Sequence, residues 1–196
     1  AAPSIEDIWK YLKEIDAEEL LSSLKFPSVP KGSYSRLPLH TALFEVTVIK
    51  WPPFAKSAIH KHDGFYGAVR VLSGTIINRE YRHESDVLKE MEVTEFTSGG
   101  IVEEPDGTIH LLENPLQEAS ISLHVYYPSI SSFEGMQLYN IEEGAIGVLD
   151  SGATGASWNS EDPGHFKKIQ ENAFRFSGIG ETDSHYISPI VPKPHK

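Results

Sequence analysis

Two histidines, His60 and His62, stand two residues apart within residues 51–74, WPPFAKSAIHKHDGFYGAVRVLSG. In an extended run, side chains at i and i+2 face the same way, so both imidazoles can reach one point. A single metal ion is the usual reason for such convergence, although for a bare HxH an exposed strand face with two solvated histidines is the better reading. A third histidine follows about fifty residues downstream, in residues 99–114, GGIVEEPDGTIHLLEN. There Pro105, Gly107, His110 and Asn114 form the spacing PxGxxHxxxN, in which proline and glycine shape a turn and the next strand delivers His110. The chain has nine histidines and no cysteine, so any metal must be held by His, Asp or Glu. Neutral nitrogen ligands suit Fe, Zn, Cu or Ni, and the ligands alone do not choose among them. Residues 120–127, SISLHVYY, carry a second kind of chemistry. Strand alternation puts Ser122, His124 and Tyr126 on one face and Ile121, Leu123 and Val125 on the other. A polar stripe on an interior face is costly unless its members bond to one another. The arrangement is then either a hydrated or exposed face, or a relay. In the relay, Ser122 orients His124, and His124 positions or exchanges a proton with the Tyr126 hydroxyl.

The rest of the chain must position these groups. Ser4 with Asp7 three residues on reads as a capping box, and Ile5, Ile8, Leu12 and Ile15 recur at helical spacing. Leu20, Leu21 and Leu24 extend the pattern, so one or two amphipathic packing helices are expected before Phe26-Pro27. Residues 27–38 read as a Pro/Gly/Ser connector holding Tyr34, Ser35 and Arg36. From Thr41 the pattern changes to a β-branched and aromatic run through Leu43, Phe44, Val46, Val48, Ile49 and Trp51, a strand with both faces partly buried. Short extended segments are expected over 67–72, 75–81, 92–97, 108–112, 119–127 and 137–141, with a turn at Ser73-Gly74. Many short strands without helices between them predict an all-β fold, a small barrel or jelly roll, with an N-terminal helical segment. Residues 163–176 read as a short helix. The tail with Pro189, Pro192 and Pro194 reads as irregular, and His165, His185 and His195 as surface residues. The expected layout is one domain over 1–196: helices in 1–26, barrel core in 41–150, and a C-terminal extension in 151–196.

Composition narrows the partners. A hydrophobic share of 39% over 196 residues is enough for a sizeable core. The net charge of −11 repels phosphate, which argues against nucleic acid and anionic membranes, though a local Arg can still bind a small anion. No apolar run approaches the ~20 residues of a membrane span, and no secretory segment is visible. With disulfides excluded, a cytoplasmic location is the expectation.

The first stretch, with its HxH and closing Gly74, resembles the first motif of the cupin superfamily, and PxGxxHxxxN resembles the second. The fourth ligand position of that pattern, usually Glu, is Gly67 here, leaving three imidazoles and no carboxylate. Taken with TyrSerArg (34–36), Trp51, Ser57-Ala-Ile-His-Lys-His62, GTIHLLEN and SLHVYYP, the set resembles the cysteine dioxygenase family of cupin thiol dioxygenases over residues 34–128. The resemblance implies a cupin barrel and Fe(II) held by His60, His62 and His110. It implies an outer triad of Ser122, His124 and Tyr126, carboxylate binding by Arg36 with Tyr34, and Trp51 as a pocket wall. The implied reaction oxidises L-cysteine with O2 to cysteine sulfinic acid, so the partners are a small thiol and O2. Some members carry a cysteine, seven residues after the first ligand, that crosslinks to the triad tyrosine. Gly67 stands there, as in bacterial-type members, and no crosslink can form. Members acting on mercaptopropionate typically replace the Arg36 equivalent with Gln and place an Arg shortly after the triad. No Arg lies between Tyr126 and Arg175, which favours cysteine, while Arg70, Arg79 and Arg82 depend on strand facing. The rival readings are a dioxygenase for 3-mercaptopropionate or another small thiol, a non-catalytic metal-binding cupin used as a sensor or binding module, and another cupin enzyme such as an isomerase. The oligomeric state stays open, monomer included.

Overall fold

A computed structural model describes residues 1–28, 34–156, 158 and 165–179. Helix α1 (Ile5–Glu14) starts where the sequence signals it: the Ser4 hydroxyl accepts the Asp7 N–H, and the Asp7 carboxylate accepts the Ser4 N–H in return. Helix α2 (Ala17–Ser23) is capped by Asp16. The strands are β1 (Ser35–His40), β2 (Glu45–Trp51), β3 (Ile59–Lys61), β4 (Tyr66–Ser73), β5 (Thr75–Glu84), β6 (Val87–Thr97) and β7 (Ile101–Glu104). They continue with β8 (Ile109–Glu113), β9 (Ser120–Tyr127), β10 (Gln137–Asn140), β11 (Ala145–Leu149), β12 (Phe166–Gln170) and β13 (Arg175–Ser177). They form a five-stranded sheet, β1-β2-β9-β4-β7, and an eight-stranded sheet, β12-β11-β10-β3-β8-β5-β6-β13. This is the expected all-β barrel of jelly-roll type with an N-terminal helical segment. Among the described residues no helix is long and apolar enough to cross a membrane.

Alternation on the five-stranded sheet separates two environments. Its outward positions, including Leu123 and Val125, pack with Ile8 and Leu12 of α1 in one apolar cluster. Full burial of side chains like these contributes about 1.5–3 kcal/mol each. Arg70 ties the helix down by donating to the Leu12 and Ile15 carbonyls. The opposite face meets the second sheet, where Ile49, Trp51, Val69 and Val71 pack with Ile76 and Leu112. Cross-strand partners share a face, so register decides which side chains meet inside. One row runs Glu45–Tyr126–Gly67–Glu104 across β2, β9, β4 and β7. On the other sheet His60 of β3 stands opposite His110 of β8.

Three expectations change. Residues 35–40 are a strand, not part of a connector: β1 pairs with β2 through Ser35↔Lys50 to His40↔Val46, so Arg36 sits on a strand and the sheet begins before residue 41. Leu43, read into the next strand, precedes it and is 79% exposed. The helix expected over 163–176 is absent among the described residues of that segment, which form β12 and β13. Their backbone groups pair with the open edges of β11 and β6, and that tertiary pairing overrides a weak helical pattern. His165 is exposed, as expected. Residues 163, 164 and 180–196, with His185, His195 and the proline-rich tail, lie outside the described residues.

Candidate active site

The three motif histidines converge. His62 lies just past the end of β3, and the PDG turn fixes it there: its N–H donates to the Thr108 carbonyl, and the Gly107 N–H donates to the His62 carbonyl. Gly107 has φ +84°, a conformation that glycine adopts without strain. The Nε2 atom of His62 lies 3.1 Å from Nε2 of His60 and 3.1 Å from Nε2 of His110. Among the described residues these three imidazoles form a set of potential ligand atoms all within 4.8 Å of one another.

Their outer nitrogens settle the protonation. His60 Nδ1–H donates to the Ala58 carbonyl at 2.9 Å, and His110 Nδ1–H donates to Asn78 Oδ1 at 2.8 Å. Both therefore present an unprotonated Nε2 to the centre of the cluster. Burial pushes His60 down to about 4 and holds His62 and His110 well below the usual imidazole range, so all three are neutral at neutral pH. Neutral imidazoles with converging lone pairs repel one another unless a cation lies between them. Nitrogen spacings of 3.1 Å match neighbouring ligands on one ion, about 3 Å at a right angle for ~2.1 Å bonds. The donor set fits a metal ion.

The stripe on β9 is a bonded relay. Ser122 Oγ lies 2.7 Å from His124 Nε2, and His124 Nδ1 lies 3.1 Å from the Tyr126 hydroxyl. Trp51 adds a fourth member, since its indole N–H donates to Ser122 Oγ at 2.8 Å. Trp51 can only donate, so Ser122 Oγ accepts from it and keeps a proton that it can give to His124 Nε2. In that tautomer His124 carries its proton on Nδ1 and donates to the Tyr126 oxygen, and the Tyr126 O–H points elsewhere, with the Glu104 carboxyl beside it. Burial lowers His124 to about 3 and raises Tyr126 well above the usual phenol range, the latter reinforced by the Glu104 carboxylate beside it. The relay is electrically neutral.

Metal cluster and relay face one cavity of about 60 Å³, walled also by Tyr34, Arg36, Trp51 and Phe133. That is far below the few hundred Å³ of drug-sized sites and suits a ligand of a few heavy atoms. Arg36 is not free to bind as a bare cation. Its Nη2 donates to Glu45 Oε1 at 2.7 Å, and the same oxygen accepts the Thr47 hydroxyl. Glu45 Oε2 accepts the Ile130 N–H. The Arg36 Nε–H, however, is buried and makes no hydrogen bond among the described residues, so a donor remains unspent. Tyr34 packs on Trp51 with ring centroids 4.5 Å apart, and burial raises its hydroxyl above the usual range. The other arginines face away. Arg70 holds α1, Arg79 pairs with Glu113 and Glu90, and exposed Arg82 pairs with Glu84.

Three residues at the site carry no motif in the sequence, Glu45 beside Arg36 among them. Asn78, on β5, orients His110. Glu104, on β7, is fully buried, with carboxylate oxygens 3.6 Å from His62 Nδ1 and 3.5 Å from His110 Nε2. Burial raises it to about 8. The absence of a carboxylate at Gly67 therefore does not leave the site without one. No spacing rule signals Glu104; only the register Gly67↔Glu104 places it. Motif residue Asn114 serves structure, its amide donating to the Trp51, Pro52 and Glu118 carbonyls.

Residues 15–137 match the family model described as cysteine dioxygenase type I. The chain belongs to the cysteine dioxygenase family. Membership makes it an oxygenase-type metalloenzyme acting on a small molecule with O2, and the three histidines are where this chain can bind the metal. Similar solved structures include a cupin-superfamily sugar phosphate isomerase of Silicibacter pomeroyi, 19% identical over 75% of this chain and 94% of its own, with a TM-score of 0.49. A Klebsiella pneumoniae protein with a double-stranded β-helix domain is 20% identical over 63% of this chain and 88% of its own, with a TM-score of 0.48.

Proposed function

We propose that this cysteine dioxygenase family member oxidises the thiol of L-cysteine with O2 to cysteine sulfinic acid, with Fe(II) held by His60, His62 and His110. The observation that carries the reading is the meeting, in one small cavity, of the histidine cluster, the Ser122–His124–Tyr126 relay and the unspent donor of Arg36. Iron bound there would supply affinity for a thiolate and one-electron chemistry toward O2. In the balanced reaction both oxygen atoms end on sulfur, and sulfur supplies all four electrons, so no external reductant is consumed. The three imidazoles add no charge of their own, which leaves the cation attractive to a thiolate.

The protein's own groups set orientation. Arg36, through Nε and with the Tyr34 hydroxyl, would hold the substrate carboxylate, so the thiol end meets the histidines. Glu45 holds the guanidinium in place and offsets part of its charge, which favours a zwitterionic amino acid over a plain carboxylate. Trp51, Ser122 and His124 aim Tyr126, whose free O–H would donate to the substrate or to oxygen as it reacts. Since burial keeps both His124 and Tyr126 neutral, the relay's job is to orient a hydrogen-bond donor rather than to store a proton. The narrow apolar walls, Phe65, Phe133 and Met136 among them, exclude water around the reacting atoms.

The substrate assignment is tested by Arg36→Gln, which leaves a donor for Glu45. The KM for cysteine should rise about 10- to 100-fold, as for loss of a charged hydrogen bond, while that for cysteamine, which lacks the carboxylate, stays within about twofold. An unchanged KM for cysteine, or faster turnover of 3-mercaptopropionate by the unaltered enzyme, would move the assignment to another thiol. Metal binding without oxygen consumption on any thiol would leave the binding-module reading.

A further inference from the structure

Two of the three clustered histidines have an oxygen partner at the outer nitrogen: the Ala58 carbonyl for His60 and the Asn78 amide oxygen for His110. His62 has none within hydrogen-bonding distance, and its buried Nδ1 is unpartnered among the described residues. A carboxylate oxygen of Glu104, Oε2, lies 3.6 Å from it. Neither Glu104 oxygen makes a hydrogen bond of ordinary geometry among the described residues, although the side chain is fully buried with the Tyr126 hydroxyl beside it. A buried carboxyl and a buried imidazole nitrogen that stop just short of hydrogen-bonding distance leave each other's polar group unmet, which is unfavourable as it stands. Closing a gap of under 1 Å satisfies both.

We propose that Glu104 is the positioning residue of His62, accepting its Nδ1–H when the metal is bound and placing one negative charge one imidazole away from the ion. The inference rests on the metal-site reading above, but not on which thiol is the substrate. Ligating histidines commonly donate their second N–H to an oxygen acceptor, which fixes ring and tautomer and raises basicity. Among the described residues the convergent ligand set holds the three imidazoles alone, with Glu104 Oε1 3.5 Å from His110 Nε2 at its margin. The carboxylate's origin follows from packing. A side chain cannot be placed at Gly67, where a Cβ would lie 2.0 Å from the Val125 carbonyl oxygen and 2.6 Å from Cδ1 of Tyr126. Gly67 instead leaves room between its two register partners, so that Tyr126 from β9 and Glu104 from β7 share one face across the gap. Tyr126 therefore stands between the relay and the metal's carboxylate.

The test uses Glu104→Gln, which keeps shape and an acceptor but removes the charge, and Glu104→Ala, which removes both. Cobalt(II) and Fe(II) affinity are measured anaerobically by competition with a chelator, and the Fe(III)/Fe(II) midpoint potential by redox titration. Affinity should fall about 10- to 100-fold in Glu104→Ala and less in Glu104→Gln. The potential of iron-loaded Glu104→Gln should rise, because the lost anion favoured the ferric ion; a tenfold change in that preference corresponds to 59 mV for one electron. An unchanged potential in Glu104→Gln overturns the proposal, and so does wild-type affinity in both variants. Failure of the unaltered protein to bind either metal overturns the metal-site reading instead. If Glu104→Ala does not fold, Glu104→Gln decides alone.

Discussion

The two sheets bring different things to the cavity. The eight-stranded sheet supplies the clustered imidazoles that could hold a metal, from β3 and the loop after it, and from β8, each aimed by a short local contact: a turn, a neighbouring carbonyl, an amide on the next strand. The five-stranded sheet supplies the groups proposed to address the substrate, Arg36 from β1 and the relay from β9, and from β7 the Glu104 carboxyl that lies beside His62. Ligands are thus set by turns and pairwise register, and the reacting end by rows across four strands. The first kind of placement tolerates little change in residue type. The second depends on what stands beside each residue.

The contrast can be broken from either side. His110→Ala removes a ligand and should abolish metal retention after gel filtration; stoichiometric metal in that variant would remove His110 from the set. Tyr126→Phe should leave metal content near wild type and lower turnover by about 10²–10³, the range expected when a positioned donor is lost. Loss of metal in Tyr126→Phe would mean that the two sheets are not separable. Asn78→Ala frees the His110 ring and should weaken metal binding about tenfold, with KM for the thiol unchanged at saturating metal.

Acid should act through the same buried imidazoles. His60, His62, His110 and His124 have folded values below the unfolded 6.5, so the unfolded chain binds more protons and metal-free stability falls as pH drops below 6.5. From pH 7 to pH 5, His60 and His124, with folded values of about 4 and about 3, each contribute a loss of about 2 kcal/mol, and His62 and His110 act in the same direction. Glu104, raised to about 8, works in the opposite direction in this window: its folded form holds a proton that the unfolded form releases above about 4.5. It offsets roughly one histidine. The urea midpoint of the metal-free protein should therefore be lower at pH 5 than at pH 7, and the drop should steepen in Glu104→Gln. A midpoint that rises on acidification would contradict the neutral state assigned to these histidines.

Much of this was legible in the chain. The HxH, the PxGxxHxxxN turn and the alternating SxHxY stripe each encode placement within a few residues, because a strand's period and a glycine turn are local facts. The capping box of α1 is local too. What the chain hid was non-local. Residues 35–40 carry Pro38 and little alternation, and they become a strand only by pairing with β2. Residues 166–177 follow sheet edges rather than their own spacing. Glu104 looks like one of two ordinary acids in IVEE until its register opposite Gly67 is known. Arg36 was read as a carboxylate clamp without its buried counter-ion Glu45, which lies nine residues away across a β-pair.

The central claim is that the two walls together make a thiol dioxygenase. Its most direct test is anaerobic Fe(II) loading, followed by simultaneous measurement of oxygen consumed and sulfinate formed from L-cysteine. One O2 is expected per sulfinate, without added reductant, at a rate proportional to bound iron. Iron-loaded protein that consumes no oxygen with cysteine, cysteamine or mercaptopropionate would contradict the claim.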